Sequence, residues 1–215
     1  MKSIKSDDLK AILFDMDGTL VDTESTYVEA VHLCLKKYHI TIDHQKLLKI
    51  VYGRSRKMIS NDLCKQFTQL NQLEFEKEID VNFEELIQNN DITIESSCDA
   101  LRKLRKNYHV AIVSGSTRHH IETFTRIANV HLNYQFYLGS EDYANGKPDP
   151  ECYLLAAEKL NLKPEQCLVI EDSNVGVRAA KAAGMQCIAL KRPSAPNQDL
   201  SLADCIIDSL EKLDL

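Results

Sequence analysis

The sequence predicts an α/β fold: a doubly wound parallel sheet with a smaller all-helical domain inserted after its first strand. Two observations predict it. Short apolar runs, Ala11–Phe14, Val110–Val113 and Leu168–Ile170, are bounded by turn-type residues and separated by helical stretches, the pattern of buried parallel strands. Between residues 22 and 95 no such run occurs, and apolar residues recur only at helical spacing. The expected division is a sheet domain over residues 1–21 and 96–215 and a helical domain over 22–95.

In the inserted segment, Val28, Val31, Leu35 and Tyr38 mark one helix and Phe75, Ile79, Phe83 and Leu86 another. Leu47, Leu48 and Val51 suggest a short helix between them, and Met58, Ile59, Leu63 and Phe67 a further one. From Ser97 onward helix and strand alternate. Ala100, Leu101 and Leu104 lie before the Val110–Val113 strand, and Ile121, Phe124 and Ala128 before a strand at Phe136–Leu138. Asp149-Pro150 reads as an N-cap with proline at the first helical position, opening a helix through Leu160. A small-residue helix from Val175 to Ala183 stops at Gly184, and Cys187–Leu190 and Ile206-Ile207 complete the strands. Such βα alternation gives a parallel sheet with helices on both faces.

Composition excludes several classes. With 215 residues, 44% hydrophobic and 27% charged, the chain is an ordinary globular protein. A net charge of −6 without a basic stripe argues against a nucleic-acid partner, and no apolar run reaches membrane-spanning length. The first eight residues lack the apolar stretch of a signal peptide. The seven cysteines are scattered, with no Cys-x-x-Cys pair, so neither a disulfide framework nor a zinc site is expected. A cytoplasmic monomer is the expectation.

The chemistry lies where the strands end. Ligands of open α/β sheets bind outside the carboxyl ends of the strands. There the sequence delivers Asp15 and Asp17 after the first run, Ser114-Gly115-Ser116 after the second, and Glu171-Asp172 after the third. In extended chain, residues two apart point to the same side, so both aspartates can face one ligand, and Gly18 permits a tight turn beside a phosphate. A carboxylate can attack phosphorus, and a neighbouring acid can exchange the protons. Glu171 and Asp172 beside that attacking group would repel it unless a cation lay between, and hard oxygen ligands suit magnesium. The hydroxyl of Ser114 and backbone N–H groups at a helix N-terminus make a phosphate cradle. Lys147, held out of helical geometry by Pro148, could aim its ammonium at a phosphate oxygen, and Arg118 lies near the cradle. Any one of these segments alone would read as a surface turn, a helix cap or a solvated charge. Their convergence makes the functional reading.

Taken together, the motifs resemble the haloacid dehalogenase-like hydrolase superfamily, near its β-phosphoglucomutase-like phosphatase branch. Asp15-Met16-Asp17-Gly18-Thr19-Leu20-Val21-Asp22-Thr23-Glu24 matches the first motif, Ser114 the second, Lys147-Pro148 the third and Glu171-Asp172-Ser173 the fourth. The resemblance implies a Rossmann-like core with a helical cap. It implies Asp15 as nucleophile and Asp17 as general acid and base. Magnesium would be held by Asp15, the Asp17 carbonyl and Asp172, with Glu171 helping directly or through water. Ser114 and Lys147 would bind the transferring phosphoryl group, with Gly18, Gly115, Ser116 and Arg118 around it. An aspartate at position 17 favours phosphate esters over dehalogenation, because an alkoxide leaving group needs a proton and a halide does not.

The resemblance also places a substrate loop at Gly53–Arg56, where Arg56 could grip a substrate anion. Tyr52 and Tyr27 stand where β-phosphoglucomutases commonly carry lysine and histidine, which weakens a mutase reading. The implied activity is magnesium-dependent hydrolysis of a small phosphorylated metabolite, of which a sugar phosphate is the leading example. The alternatives are a phosphosugar mutase sharing the aspartyl phosphate, or a non-catalytic interaction module, whose sign would be a lost motif residue.

Overall fold

The computed structural model describes residues 4, 8–52, 54, 56–192, 195–196 and 198–213. Six strands form one wholly parallel sheet: β1 (Ala11–Phe14), β2 (His109–Val113), β3 (Phe136–Leu138), β4 (Cys167–Glu171), β5 (Gln186–Leu190) and β6 (Cys205–Ile207). Their order across the sheet is β3-β2-β1-β4-β5-β6. The chain thus winds outward from β1 in one direction and then restarts at β4 in the other, which puts a topological switch point beside β1. The α/β expectation is met.

Register decides what the switch point offers. Phe14 pairs with Ile112 of β2 and Ile170 of β4. The Asp15 amide extends this ladder by donating to the Ile170 carbonyl at 2.9 Å. The three strands therefore end almost level, and the polar residues that follow them emerge together. The polar groups follow apolar stretches: Ala11–Phe14, Val110–Val113 and Leu168–Ile170 are buried at every position, as parallel strands covered on both faces require.

The chain divides into two compact units, one of Met1–Asp22, Thr93–Pro193 and Asn197–Leu215, the other of Thr23–Ile92 with Ser194–Pro196. In the first, α5 (Glu95–Leu104), α6 (Arg118–Ile127), α7 (Glu151–Lys159) and α8 (Asn174–Ala182) accompany the sheet. Leu13, Val113 and Val169 share one core with Tyr153, Ala156 and Ala157 of α7 and Val177, Ala179 and Ala180 of α8. The small side chains on both helices let them lie close to the sheet.

The second unit holds α1 (Thr23–Lys37), α2 (His44–Val51), α3 (Arg56–Gln66) and α4 (Gln72–Asn89). Tyr27 of α1 meets Phe83 of α4 edge-on, ring centroids 5.6 Å apart. Asp43 caps α2 through the Lys46 amide, and Asn71 caps α4 through the amides of Leu73 and Glu74. Met58 is about half exposed, unlike Ile59 and Leu63. One residue turns a helix by about 100°, so a methionine preceding the apolar stripe faces outward.

α7 departs slightly from the sequence reading. Pro150 occupies the cap position and the helix starts at Glu151, whose amide donates to Asp149 Oδ1 at 2.9 Å. α8 ends as expected: Gly184 follows it at a φ of +77°, the left-handed conformation that closes a helix. All seven cysteines are free thiols. No described helix is long and apolar enough to cross a membrane.

Candidate active site

At the carboxyl end of β1 the chain coils tightly. The Met16 carbonyl accepts from the amides of Thr19, Leu20 and Val21, and the Gly18 amide donates to the Val21 carbonyl at 2.7 Å. Gly18 sits at a φ of +80°, and a Cβ there would lie 2.1 Å from Asp172 Oδ2. Only glycine meets both demands. The coil turns Asp17 toward the end of β2, where its Oδ2 accepts from the hydroxyls of Ser114 at 2.9 Å and Ser116 at 2.8 Å. The Ser116 amide in turn donates to Ser114 Oγ at 2.9 Å.

Lys147 joins the strands. Its ammonium is bonded to Asp15 Oδ1 at 2.6 Å, Glu171 Oε1 at 2.7 Å and the Val113 carbonyl at 3.1 Å. The loop carrying it is braced by Glu151, whose carboxylate accepts from the amides of Ala144 and Asn145, both at 2.8 Å. Tyr143 ties the same segment to β2 through its hydroxyl and the Ser114 carbonyl, 2.9 Å apart.

Glu171 is fully buried and saturated. Oε1 accepts from Lys147 and from the Tyr153 hydroxyl at 3.0 Å. Oε2 accepts from the amides of Asp172 and Ser173, both at 3.0 Å, and from Ser173 Oγ at 2.9 Å.

The charges respond accordingly. Burial raises the Asp15 carboxyl well above the usual aspartate range, and the Glu171 and Asp17 charges add to that against the pull of Lys147. Burial opposes the charge on Lys147, yet Asp15 and Glu171 outweigh it and hold the ammonium above the usual lysine range. Burial likewise opposes the charge on Glu171, but Lys147 and the Ser173 donors keep that carboxyl below its usual range. Lys147 and Glu171 therefore form a buried ion pair, and Asp15 is a second acid held beside them.

Asp15, Glu171 and Asp172 each offer a carboxylate oxygen within 4.8 Å of the others. Hard oxygens in such a cluster fit a magnesium ion. Since Glu171 spends both oxygens on protein donors, Asp15 and Asp172 are better placed to hold one. The fit also explains why acids can crowd here: a divalent cation would offset their repulsion.

The structure thus brings Asp15, Asp17, Gly18, Ser114, Ser116, Lys147, Glu171 and Asp172 to one end of the sheet. Gly115 lies between the two serines with open space where a Cβ would stand. Arg118 begins α6, two residues after Ser116. Its guanidinium is paired with Asp142 and is 55% exposed, and its amide, at the start of α6, donates to the Glu141 carboxylate at 3.1 Å. The end of that helix is thus capped by a protein acid. Arg56 lies in the helical unit, its guanidinium 4.8 Å from the Tyr27 ring centroid and 4.7 Å from that of Phe83, and bonded to Asp80 at 3.0 Å. Gly53 lies outside the described residues.

Sequence reasoning missed Tyr153, Glu151 and Tyr143. The only available signal was their position, flanking Lys147 by a few residues.

A family model described as haloacid dehalogenase-like hydrolase matches residues 9–184. The chain belongs to the haloacid dehalogenase-like hydrolases. This hydrolase is 31% identical over 184 residues to a phosphorylated carbohydrates phosphatase of Thermotoga maritima, covering 83% of each chain. It is 32% identical over 206 residues to a bifunctional riboflavin kinase/FMN phosphatase of Arabidopsis thaliana, covering 93% of this chain and 53% of that one, so it spans about half of that relative. Among solved structures it is similar to a haloacid dehalogenase family hydrolase of Deinococcus radiodurans R1 with bound phosphate and sodium. That likeness has a TM-score of 0.80 at 27% identity and covers 94% of this chain and 92% of the other.

Proposed function

We propose that this hydrolase is a magnesium-dependent phosphatase of a small phosphorylated metabolite, acting through an aspartyl phosphate on Asp15. The observation that carries the reading is the placement of Lys147 between Asp15 and Glu171, beside Asp17 on its two serines. Lys147 engages Asp15 Oδ1 and leaves Oδ2 to attack phosphorus. The ester oxygen departs with the shared electron pair and takes a proton from Asp17. Asp17, which accepts from the Ser114 and Ser116 hydroxyls at Oδ2, carries that proton. Water then attacks the phosphorus of the aspartyl phosphate and gives a proton back to Asp17, which releases phosphate and restores both acids. When bound, the metal supplies positive charge against the phosphoryl oxygens. Ser114 and Lys147 would bind the phosphoryl group, and the helical unit would serve as a cap that excludes water from it.

The names of two similar proteins, the phosphorylated carbohydrates phosphatase of Thermotoga maritima and a hexitol phosphatase A of Escherichia coli, support a phosphorylated carbohydrate as substrate. Phosphate release from a panel of phosphorylated sugars, nucleotides and small acids, with magnesium and with chelator, tests the proposal. Magnesium-dependent release from a few related compounds is expected. No release across the panel from folded protein would overturn it, and product analysis with β-glucose 1-phosphate distinguishes a mutase.

A further inference from the structure

We propose that Tyr153 is a positioning residue for this reaction: it divides the Lys147 ammonium between Asp15 and Glu171. The proposal rests on the hydrolase reading of the Asp15 site. Tyr153 stands in the first turn of α7, six positions after Lys147, on the same loop-and-helix segment. It is fully buried and touches both members of the ion pair. Its hydroxyl is 3.0 Å from Glu171 Oε1, and its ring centroid is 5.1 Å from Lys147 Nζ.

A tyrosine needed only to fill the core would not require an acceptor, and phenylalanine would serve as well. Here the hydroxyl takes a share of the charge on Oε1, the oxygen to which Lys147 also donates. A donor on an acid lowers that acid's hold on its other partners. With the hydroxyl present, Lys147 is freer to engage Asp15 and a phosphoryl oxygen. Without it, Oε1 has a single donor, and the ammonium is drawn toward Glu171, away from the reacting atoms. The ring supplies the second constraint, a π face that limits where Nζ can settle. Tyr153 never meets substrate in this scheme; it acts through Lys147 and Glu171.

Two variants separate the parts. Y153F keeps the ring and the packing and removes the hydroxyl; Y153L removes both. The test measures steady-state hydrolysis of p-nitrophenyl phosphate with magnesium, thermal unfolding, and the 15Nζ resonance of Lys147 in 15N-lysine protein, assigned by its loss in K147R. Y153F is expected to unfold near the wild-type temperature, to lose kcat on the order of tenfold with KM little changed, and to shift the Nζ resonance. Y153L should lose more kcat. Wild-type kcat in Y153F overturns the proposal, as does a fall in kcat with the Nζ resonance unmoved. Should the wild-type protein show no magnesium-dependent turnover at all, the phosphatase reading fails. The Nζ shift then still reports whether Tyr153 controls Lys147.

Discussion

A Cβ on Gly176 would stand 1.7 Å from Glu171 Oε1 and 1.9 Å from its carboxyl carbon. The start of α8 thus lies against the carboxylate that anchors Lys147, and no side chain fits between them. Alanine gains about 1 kcal/mol of helix propensity over glycine. Displacing Glu171 breaks a buried ion pair worth about 3–5 kcal/mol when one partner is lost. G176A is therefore expected to destabilise the protein by about 2–4 kcal/mol net in urea unfolding, and to lose activity with it. A stable, active G176A would show that Glu171 has room to move.

D15N tests the proposed nucleophile. Turnover should fall by at least about a thousandfold. Stability should not fall. Because the folded-state pKa of Asp15 is raised, its proton-bound form is favoured below the ordinary aspartate value and its ionised form is a cost above the raised one. Asparagine removes that cost at neutral pH. Retained turnover would dismiss Asp15, and a large drop in Tm would dismiss the electrostatic account.

The Lys147–Glu171 pair sets a pH window. The lowered pKa of Glu171 gives stability that is fully present above the glutamate value of 4.5 and is lost as pH falls through the lower folded value. The raised pKa of Lys147 gives stability present below 10.5 and lost as pH rises through the higher folded value. E171Q should be about 3 kcal/mol less stable at pH 7 and show a shallower loss toward acid. Urea unfolding from pH 3 to pH 11 measures both, and matching acid limbs in wild type and variant would refute the assignment.

The thiols give an independent check on the core. Cys34, Cys98, Cys152, Cys167 and Cys187 are buried, while Cys64 and Cys205 are partly exposed. Burial pushes Cys34 up to about 12 and Cys152 and Cys167 up to about 11, and raises Cys64 as well. Titration with dithiobis(nitrobenzoic acid) at pH 8 should therefore find Cys64 and Cys205 before the buried thiols, and all seven only after unfolding. Rapid reaction of Cys152, beside Tyr153, would mean α7 opens readily.

Much of this protein was legible in the order of its residues. Ala11–Phe14, Val110–Val113 and Leu168–Ile170 are apolar at every position because both faces of a parallel strand are buried, and a run bounded by turn residues shows that directly. The acids and serines that end those runs were legible for the same reason: they are the first polar groups after a buried strand. Which strands are neighbours, and that Phe14 is level with both Ile112 and Ile170, was decided by tertiary packing. That register makes Asp15 and Lys147 partners across 132 positions. Arg118 and Arg56 were read from sequence as ligand contacts, and in the structure each has an acidic partner, Asp142 and Asp80. Tyr153 carried no signal in the sequence beyond its nearness to Lys147. Its hydroxyl gains a role only because the helix that carries it packs over the end of β4, where Glu171 is too deeply buried to find donors in water. Local chemistry is written in the sequence, because each residue type brings its own polarity. Partnership is set by the fold, because burial forces each charge to find its complement among the groups that packing places nearby.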